Sequence, residues 1–222
     1  MTLKKPGPEI VKKFEAFSTT AISDALDTLG IAGGCHGISP VVSGVKMVGT
    51  AYTVRYIATG ATKGTVGDYI DDVSPGDVIV LDNTGRTDCT VWGDILTVMS
   101  GIKGISGTVI DGVCRDVPII LEERYPVFSR GKFMMTGKDR VMVEAVQVVV
   151  SIGKVQVRPG DILIGDDSGV VVVPQEMADR VLEVVRTIDE AENSIVKAVR
   201  GGLSLKEARE KFGYHMLQRK RD

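Results

Sequence analysis

The chain has 222 residues, 43% apolar and 25% charged, enough for one fully cored domain and too balanced for a disordered or fibrous protein. Its formal net charge is −2, so no basic footprint argues for nucleic acid, and the cluster Arg219-Lys220-Arg221 reads as a solvated tail. One Trp, two His and three scattered cysteines (Cys35, Cys89, Cys114) leave little material for a histidine or zinc site, and thiols without a pairing pattern fit a reducing, cytoplasmic setting.

No apolar run approaches the roughly 20 residues that cross a bilayer, and Met1-Thr2-Leu3-Lys4-Lys5-Pro6 has no apolar stretch behind its charges. Neither a membrane span nor a signal peptide is expected.

Taken in chain order, Pro8 opens a helix over Glu9 to Phe17, and Ser18/Thr19 cap a second over Thr20 to Leu29 that Gly30 ends. Residues 31–45 are Gly-rich and turn-like. Val48 to Arg55 alternates as a strand, and Lys63 to Val73 reads as a short helix. A phrase then recurs. Ser74-Pro75-Gly76-Asp77 launches the β-branched run Val78 to Leu81, and Arg158-Pro159-Gly160-Asp161 launches Ile162 to Ile164. Each run is read to end in an acidic turn, Asp82-Asn83-Thr84-Gly85 and Asp166-Asp167-Ser168-Gly169.

Between the copies the pattern predicts a helix over Asp94 to Ile102, a buried strand over Thr108 to Asp111 and a helix over Pro118 to Glu123. Strands follow near Ala145 to Ser151 and over Gly169 to Val173. A long helix from about Gln175 to Arg200 places Met177, Val181, Val184, Ile188, Ala191 and Ile195 on one face, and Ser204-Leu205-Lys206-Glu207 starts a last helix with a capping box. The reading is one α/β domain over residues 1–222, with a helical N-terminal arm (1–30) and C-terminal helices (175–222).

The chemistry concentrates in Trp92-Gly93-Asp94-Ile95-Leu96 and Gly107 to Asp116. Gly93 lets backbone approach a ligand closely, and the N–H groups of Asp94, Ile95 and Leu96 open a helix, a ready-made carboxylate site. Asp94 has an ordinary role too, balancing that helix dipole. In the second segment Asp111-Gly112 is read as a turn at the carboxyl end of a strand, where open α/β sheets place ligands, with Arg115 and Asp116 just beyond. The bland alternative is a salt-bridged pair whose Asp116 caps the next helix ahead of Val117-Pro118. His36 and His215 read as turn and tail residues, Asp71-Asp72 as a solvated helix end, and Cys114 as a small buried hydrophobe. No GxGxxG follows a strand and no GxxxxGK[ST] is present, which leaves dinucleotide, NTP and methyl-transfer sites unsupported.

The segment Thr87 to Leu96, the Asp-x20-Arg-Asp spacing of Asp94, Arg115 and Asp116, and the phrase Gly107 to Asp116 resemble the RraA-like family, which includes divalent-metal-dependent 4-hydroxy-4-methyl-2-oxoglutarate aldolases. Thr20 to Asp27, Val48 to Arg55, Pro75-Gly76-Asp77 and Asp167 to Pro174 extend the resemblance over roughly residues 18–200.

The resemblance implies a swivelling β/β/α-type sandwich assembled as a homotrimer or hexamer, with sites at subunit interfaces. It implies that Gly93, Asp94, Ile95 and Leu96 form the substrate-binding loop. Arg115 would bind a small 2-oxo acid, and Asp116 would be the direct ligand of Mg2+ or Mn2+. It also implies that a late-helix glutamate, Glu192 here, serves a neighbouring subunit's site; a snorkelling edge residue or a structural salt bridge is the plainer role for that residue. The family's acid two places beyond the Arg-Asp pair is absent, since Val117-Pro118-Ile119 stands there.

Two functions from different classes follow. One is a class II pyruvate aldolase with oxaloacetate decarboxylase activity, with Asp94, Arg115 and Glu192 as its catalytic residues. The other is a non-enzymatic regulator that binds an RNA-degrading endonuclease. No motif places a lysine for a Schiff base, which favours metal over imine chemistry in the enzyme.

Overall fold

The computed structural model describes residues 5–214, so Met1 to Lys4, His215 and Arg219-Lys220-Arg221 lie outside the described residues. Helix α1 (Pro8–Lys13) starts on Pro8, whose missing N–H is no loss at a first helical position, and a 3-10 turn (Phe14–Ala16) continues it. Ser18 caps α2 (Thr19–Thr28) by accepting from the Ala21 N–H at 3.2 Å.

The strands and helices that follow are β1 (Ser39–Pro40), β2 (Met47–Ala58), β3 (Asp77–Thr90), α3 (Asp94–Lys103), β4 (Gly107–Cys114) and α4 (Val117–Glu122). Then come β5 (Val127–Lys132), β6 (Val141–Val146), β7 (Val150–Ile152), β8 (Val155–Val157), β9 (Ile162–Asp166), β10 (Gly169–Val173), α5 (Ala178–Arg200) and α6 (Leu205–Lys211).

One mixed sheet runs β1-β5-β4-β3-β2-β9-β10, and β7 and β8 form a separate hairpin. Strands β2 to β5 are parallel neighbours in that path, while β9 and β6 share the other edge of the long β2, pairing with its beginning and its end. Side-chain alternation sorts the core. Ile79, Leu81 and Ile110 face the cluster that contains Trp92, Ile120 and Tyr125. Ile162, Ile164, Val171 and Val173 pack under α2 and α5. Val78, Val80, Val109, Leu163 and Val172 face the opposite way, onto Ile152, Val155 and Val157 of the hairpin. Helices thus cover one face and a β layer the other, an α/β sandwich with helices at both chain ends.

The recurring Pro-Gly-Asp phrase has one physical cause. In each copy Pro and a left-handed Gly (Gly76 φ +80°, Gly160 φ +86°) build a type II turn closed by the Asp N–H (Asp77 to Ser74 O, 3.2 Å; Asp161 to Arg158 O, 3.1 Å). The Asp carboxylate then accepts from the N–H three residues back, Ser74 at 3.3 Å and Arg158 at 2.8 Å. The two entrances flank the same point of β2, because Thr50 pairs with Asp77 on one side and Ile162 on the other. Nothing stands within 4 Å of a Cβ added at Gly76, so Gly76→Ala is expected to lose about 1–2 kcal/mol from backbone conformation alone. Urea unfolding of the variant measures it, and a change under 0.5 kcal/mol, the usual scatter of surface changes, would contradict that account.

Several expectations need correction. Lys63 to Val73 is not an α-helix; only a 3-10 turn, Asp68–Asp72, forms, because Gly64 and Gly67 interrupt the run. The acidic stretch after Leu81 does not end its strand. Thr84 and Gly85 take positive φ (53° and 71°) and make an irregularity in register, after which β3 continues to Thr90. Asp111-Gly112 is likewise no turn, because β4 stays paired through Cys114. The strand read at Ala145 to Ser151 is two, β6 and β7, broken at the left-handed Gln147 (φ 54°). Strands β1, β5 and β8 had no reading of their own. The turn Asp166 to Gly169 does join β9 to β10, and Ser204 and Glu207 form the expected capping box.

Candidate active site

The parallel strands β3 and β4 end side by side, and the chain leaves each toward the same place. The Arg115 N–H donates to the Trp92 carbonyl at 3.0 Å, joining the two segments that the sequence holds about twenty residues apart. Trp92 anchors the junction. It is 2% exposed, its ring lies 6.0 Å from that of Tyr125 at 9°, and its indole Nε1 donates to Thr97 Oγ1 at 3.0 Å. Thr97 Oγ1 in turn donates to the Gly93 carbonyl at 2.8 Å, so the indole and the first turn of α3 hold the Gly93 backbone together.

Asp116 takes a left-handed conformation (φ 55°, ψ 39°), which Asp tolerates better than most residues. It precedes α4, but its side chain makes no capping bond there, contrary to the capping expectation. The turn of the backbone aims the carboxylate at α3 instead. Asp116 Oδ2 accepts from the Asp94 N–H at 3.2 Å and lies 3.3 Å from Arg115 Nε. The salt bridge of the bland reading is therefore present, and the carboxylate occupies part of the anion cradle. The Ile95 N–H is turned to Asp94 Oδ1 at 2.8 Å. Gly93 is required here by space: a Cβ would stand 2.6 Å from Asp116 Oδ2 and 3.3 Å from Arg115 Nε.

Gly93, Asp94, Ile95, Leu96 and Arg115 line a cleft of about 370 Å³, and Asp116 lies just behind them. The rest of the cleft lining comes mainly from two segments with no motif in the sequence: residues within Val66 to Asp71 and the Thr136-Gly137-Lys138 turn. The turn is pinned to the end of β3, where the Thr90 N–H donates to the Met135 carbonyl at 2.9 Å and a Cβ on Gly137 would come within 2.3 Å of the Thr90 oxygen.

The RraA-like description, Aldolase/RraA, matches residues 19–172. The chain belongs to the RraA-like family. It is 41% identical over 211 residues to Protein DlpA of Legionella pneumophila, covering 93% of this chain but 34% of DlpA, so it spans about a third of that relative's length. It is 36% identical over 177 residues to the "Putative 4-hydroxy-4-methyl-2-oxoglutarate aldolase" of Halalkalibacterium halodurans, covering 79% of this chain and 81% of that one. A crystal structure of an uncharacterized protein from Pseudomonas syringae pv. tomato superposes with a TM-score of 0.87 at 43% identity, over 93% of this chain and 99% of that one. The sandwich described above is thus the RraA-like fold.

Other residues singled out in this RraA-like sequence fall elsewhere. Glu192 sits on α5, away from the cleft lining, and burial together with the Asp24 and Asp189 carboxylates pushes its carboxyl above the usual range. No cation bonds it among the described residues, so the salt-bridge alternative finds no partner there. His36 lies exposed in a turn, and Asp71 and Asp72 are exposed. Burial pushes the Cys114 thiol up, and burial followed by the Asp111 charge pushes Cys35 to about 12, so neither is a ready thiolate.

Among the described residues no group of three or more His, Cys, Asp or Glu gathers as a metal cage. The donor set is compatible with a sparser mode. Asp116 is half-buried, its contacts run through Oδ2, and it is a hard oxygen donor bordering open space. A single carboxylate, with water and substrate oxygens around it, is a form of site that Mg2+ accepts.

Proposed function

We propose that the chain is a divalent-metal-dependent lyase that cleaves a 2-oxo acid through a pyruvate enolate, as a 4-hydroxy-4-methyl-2-oxoglutarate aldolase that also decarboxylates oxaloacetate. The observation that carries this reading is the meeting of Arg115 and the N-terminus of α3 at one cleft, with the Asp116 carboxylate bonded to both just behind that lining. The aldolase name of the Halalkalibacterium halodurans relative supports it.

Asp116 would hold Mg2+ or Mn2+, and a cation bound there supplies Lewis-acid charge beside the substrate's keto oxygen. Arg115 offers a planar fork of donors for the carboxylate and keto oxygens. The backbone N–H groups of Asp94, Ile95 and Leu96 supply the helix dipole, provided the Asp116 carboxylate bonded to the Asp94 N–H and the Asp94 carboxylate bonded to the Ile95 N–H give way to substrate. In decarboxylation the C3–C4 bond breaks, its electron pair forms the enolate, carbon dioxide leaves and C3 then takes a proton from water. In aldol cleavage the C4 hydroxyl first loses its proton, and the same bond breaks to give the same enolate and a ketone. Asp94, half-exposed at the cleft, is placed to orient the water that exchanges these protons.

The assembly that goes with this reading is a homotrimer or hexamer in which Glu192 serves a neighbouring site. No helix among the described residues is long and apolar enough to cross a membrane. The cysteines are free and buried, which supports a cytoplasmic setting.

EDTA is expected to abolish pyruvate release from oxaloacetate, and Mg2+ or Mn2+ to restore it. Asp116→Ala should lose metal-dependent turnover while its unfolding midpoint stays within about 1 kcal/mol of the parent, because the side chain is half-exposed. Full turnover in Asp116→Ala removes this residue from the site. Absence of any turnover, together with inhibition of an RNA-degrading endonuclease, would favour the regulator.

A further inference from the structure

Donors assigned to the substrate are already in use within the protein. Asp116 Oδ2 accepts from the Asp94 N–H at 3.2 Å and stands 3.3 Å from Arg115 Nε. One carboxylate oxygen thus lies against both the first N–H of α3 and the guanidinium. The local chain is shaped to admit it. Residue 116 is left-handed (φ 55°) and its side chain makes no capping bond to α4. A Cβ at position 93 would stand 2.6 Å from Oδ2, so glycine there leaves the carboxylate room to enter.

The contact is also displaceable. Both distances exceed the roughly 2.7–2.9 Å of a strong charge-assisted bond, and the Asp116 side chain is 35% exposed. Asp116 borders a second hollow, of about 330 Å³, with Val117, Lys132 and Met134, which gives the carboxylate space to turn away from α3.

We propose that Asp116 is an intramolecular competitor for the substrate anion. In the metal-free protein its carboxylate takes the place of a substrate carboxylate against Arg115 and the Asp94 N–H. A divalent cation that takes this carboxylate as its ligand removes the competitor and offsets its charge, and so opens the cradle. This rests on the 2-oxo acid reading and adds a control of binding to it. The sign of one effect separates the competitor from a plain metal ligand. Neutralising a plain ligand leaves metal-free anion binding untouched. Neutralising a competitor strengthens it, because an incoming anion no longer has to break the contact or stand beside a like charge.

The test is pyruvate binding in EDTA and in Mg2+, by titration calorimetry and by fluorescence of Trp92, whose carbonyl holds the Arg115 N–H. Asp116→Asn keeps the side-chain shape, and asparagine tolerates the left-handed backbone. In EDTA it should bind pyruvate about tenfold more tightly than the parent, the scale of one charge-assisted hydrogen bond. Asp68→Asn removes the same charge from the cleft lining, at a residue with no bond to Arg115 or α3 among the described residues, and should change metal-free affinity by less than about twofold. Mg2+ should tighten pyruvate on the parent and leave Asp116→Asn unchanged. Circular dichroism serves as the folding control. If Asp116→Asn gains no metal-free affinity, or Asp68→Asn gains as much, Asp116 is no competitor, while pyruvate binding by the parent in Mg2+ keeps the 2-oxo acid reading. If parent and variant bind no pyruvate with or without Mg2+, that reading falls and the proposal falls with it.

Discussion

Arg115→Lys is expected to lower kcat/KM for oxaloacetate by roughly 10²-fold, about 3 kcal/mol of transition-state stabilisation. Lysine keeps the charge but cannot present two parallel donors to a carboxylate and a keto oxygen. The backbone bond from residue 115 to the Trp92 carbonyl survives the change, so the loop stays in place and the effect isolates the guanidinium. Asp94→Asn should behave differently. Its N–H still caps the cradle, so KM should move little, while kcat falls because the side chain no longer orients water. Pyruvate inhibition should weaken in Arg115→Lys and barely change in Asp94→Asn. Steady-state kinetics of both variants, with circular dichroism as a folding control, decides the matter. Parent-level kcat and pyruvate affinity in Arg115→Lys would remove the substrate grip from the mechanism and strengthen the regulator.

Trp92→Ala is expected to give a large loss of stability, about 3–5 kcal/mol, the usual scale for truncating a buried aromatic. The ring is 2% exposed and stacked on Tyr125, and its truncation also strips Thr97 of its indole partner. Trp92→Phe keeps most of the packing and loses the Nε1 bond, and should cost about 1–2 kcal/mol. Because Thr97 and Trp92 together hold the Gly93 carbonyl and the Arg115 N–H, both variants should lose activity beyond their loss of folded protein. Urea unfolding followed by far-ultraviolet circular dichroism gives the stability order. Trp92 is the only tryptophan, so parent fluorescence reports directly on the loop. A Trp92→Ala variant within 1 kcal/mol of the parent would show that the junction relaxes around the hole, contrary to a close-packed anchor.

Much of the helical framework was legible because its signals are local. Ser18, Pro8 and the Ser204–Glu207 box start helices through bonds made within one turn, and the Pro-Gly-Asp phrases start strands through a single turn each. The Asp94…Arg115-Asp116 spacing could be read as one site because a helix and a strand of ordinary length return the chain to its starting edge. What sequence alone left open was where strands end. The Asp82 to Gly85 and Asp111-Gly112 stretches carry turn residues, yet neighbouring strands supply pairing partners beyond them, and that cross-strand pairing outweighs local preference.

The part of the cleft lining formed by Thr136 to Lys138 was invisible for a related reason. Thr136, Gly137 and Lys138 follow Thr90 by more than forty positions in the chain and face the site because the end of β3 pairs with them. The direction of the Asp116 carboxylate was equally beyond reach. Its residue type permits a left-handed turn, but only the adjacent N-terminus of α3 and the Arg115 guanidinium favour that one. Local hydrogen bonding thus determined which segments were helical and which backbone N–H groups open α3. The packing of β3 against β4 decided which of those residues meet, because long-range strand pairing sets distances that no short window of sequence contains.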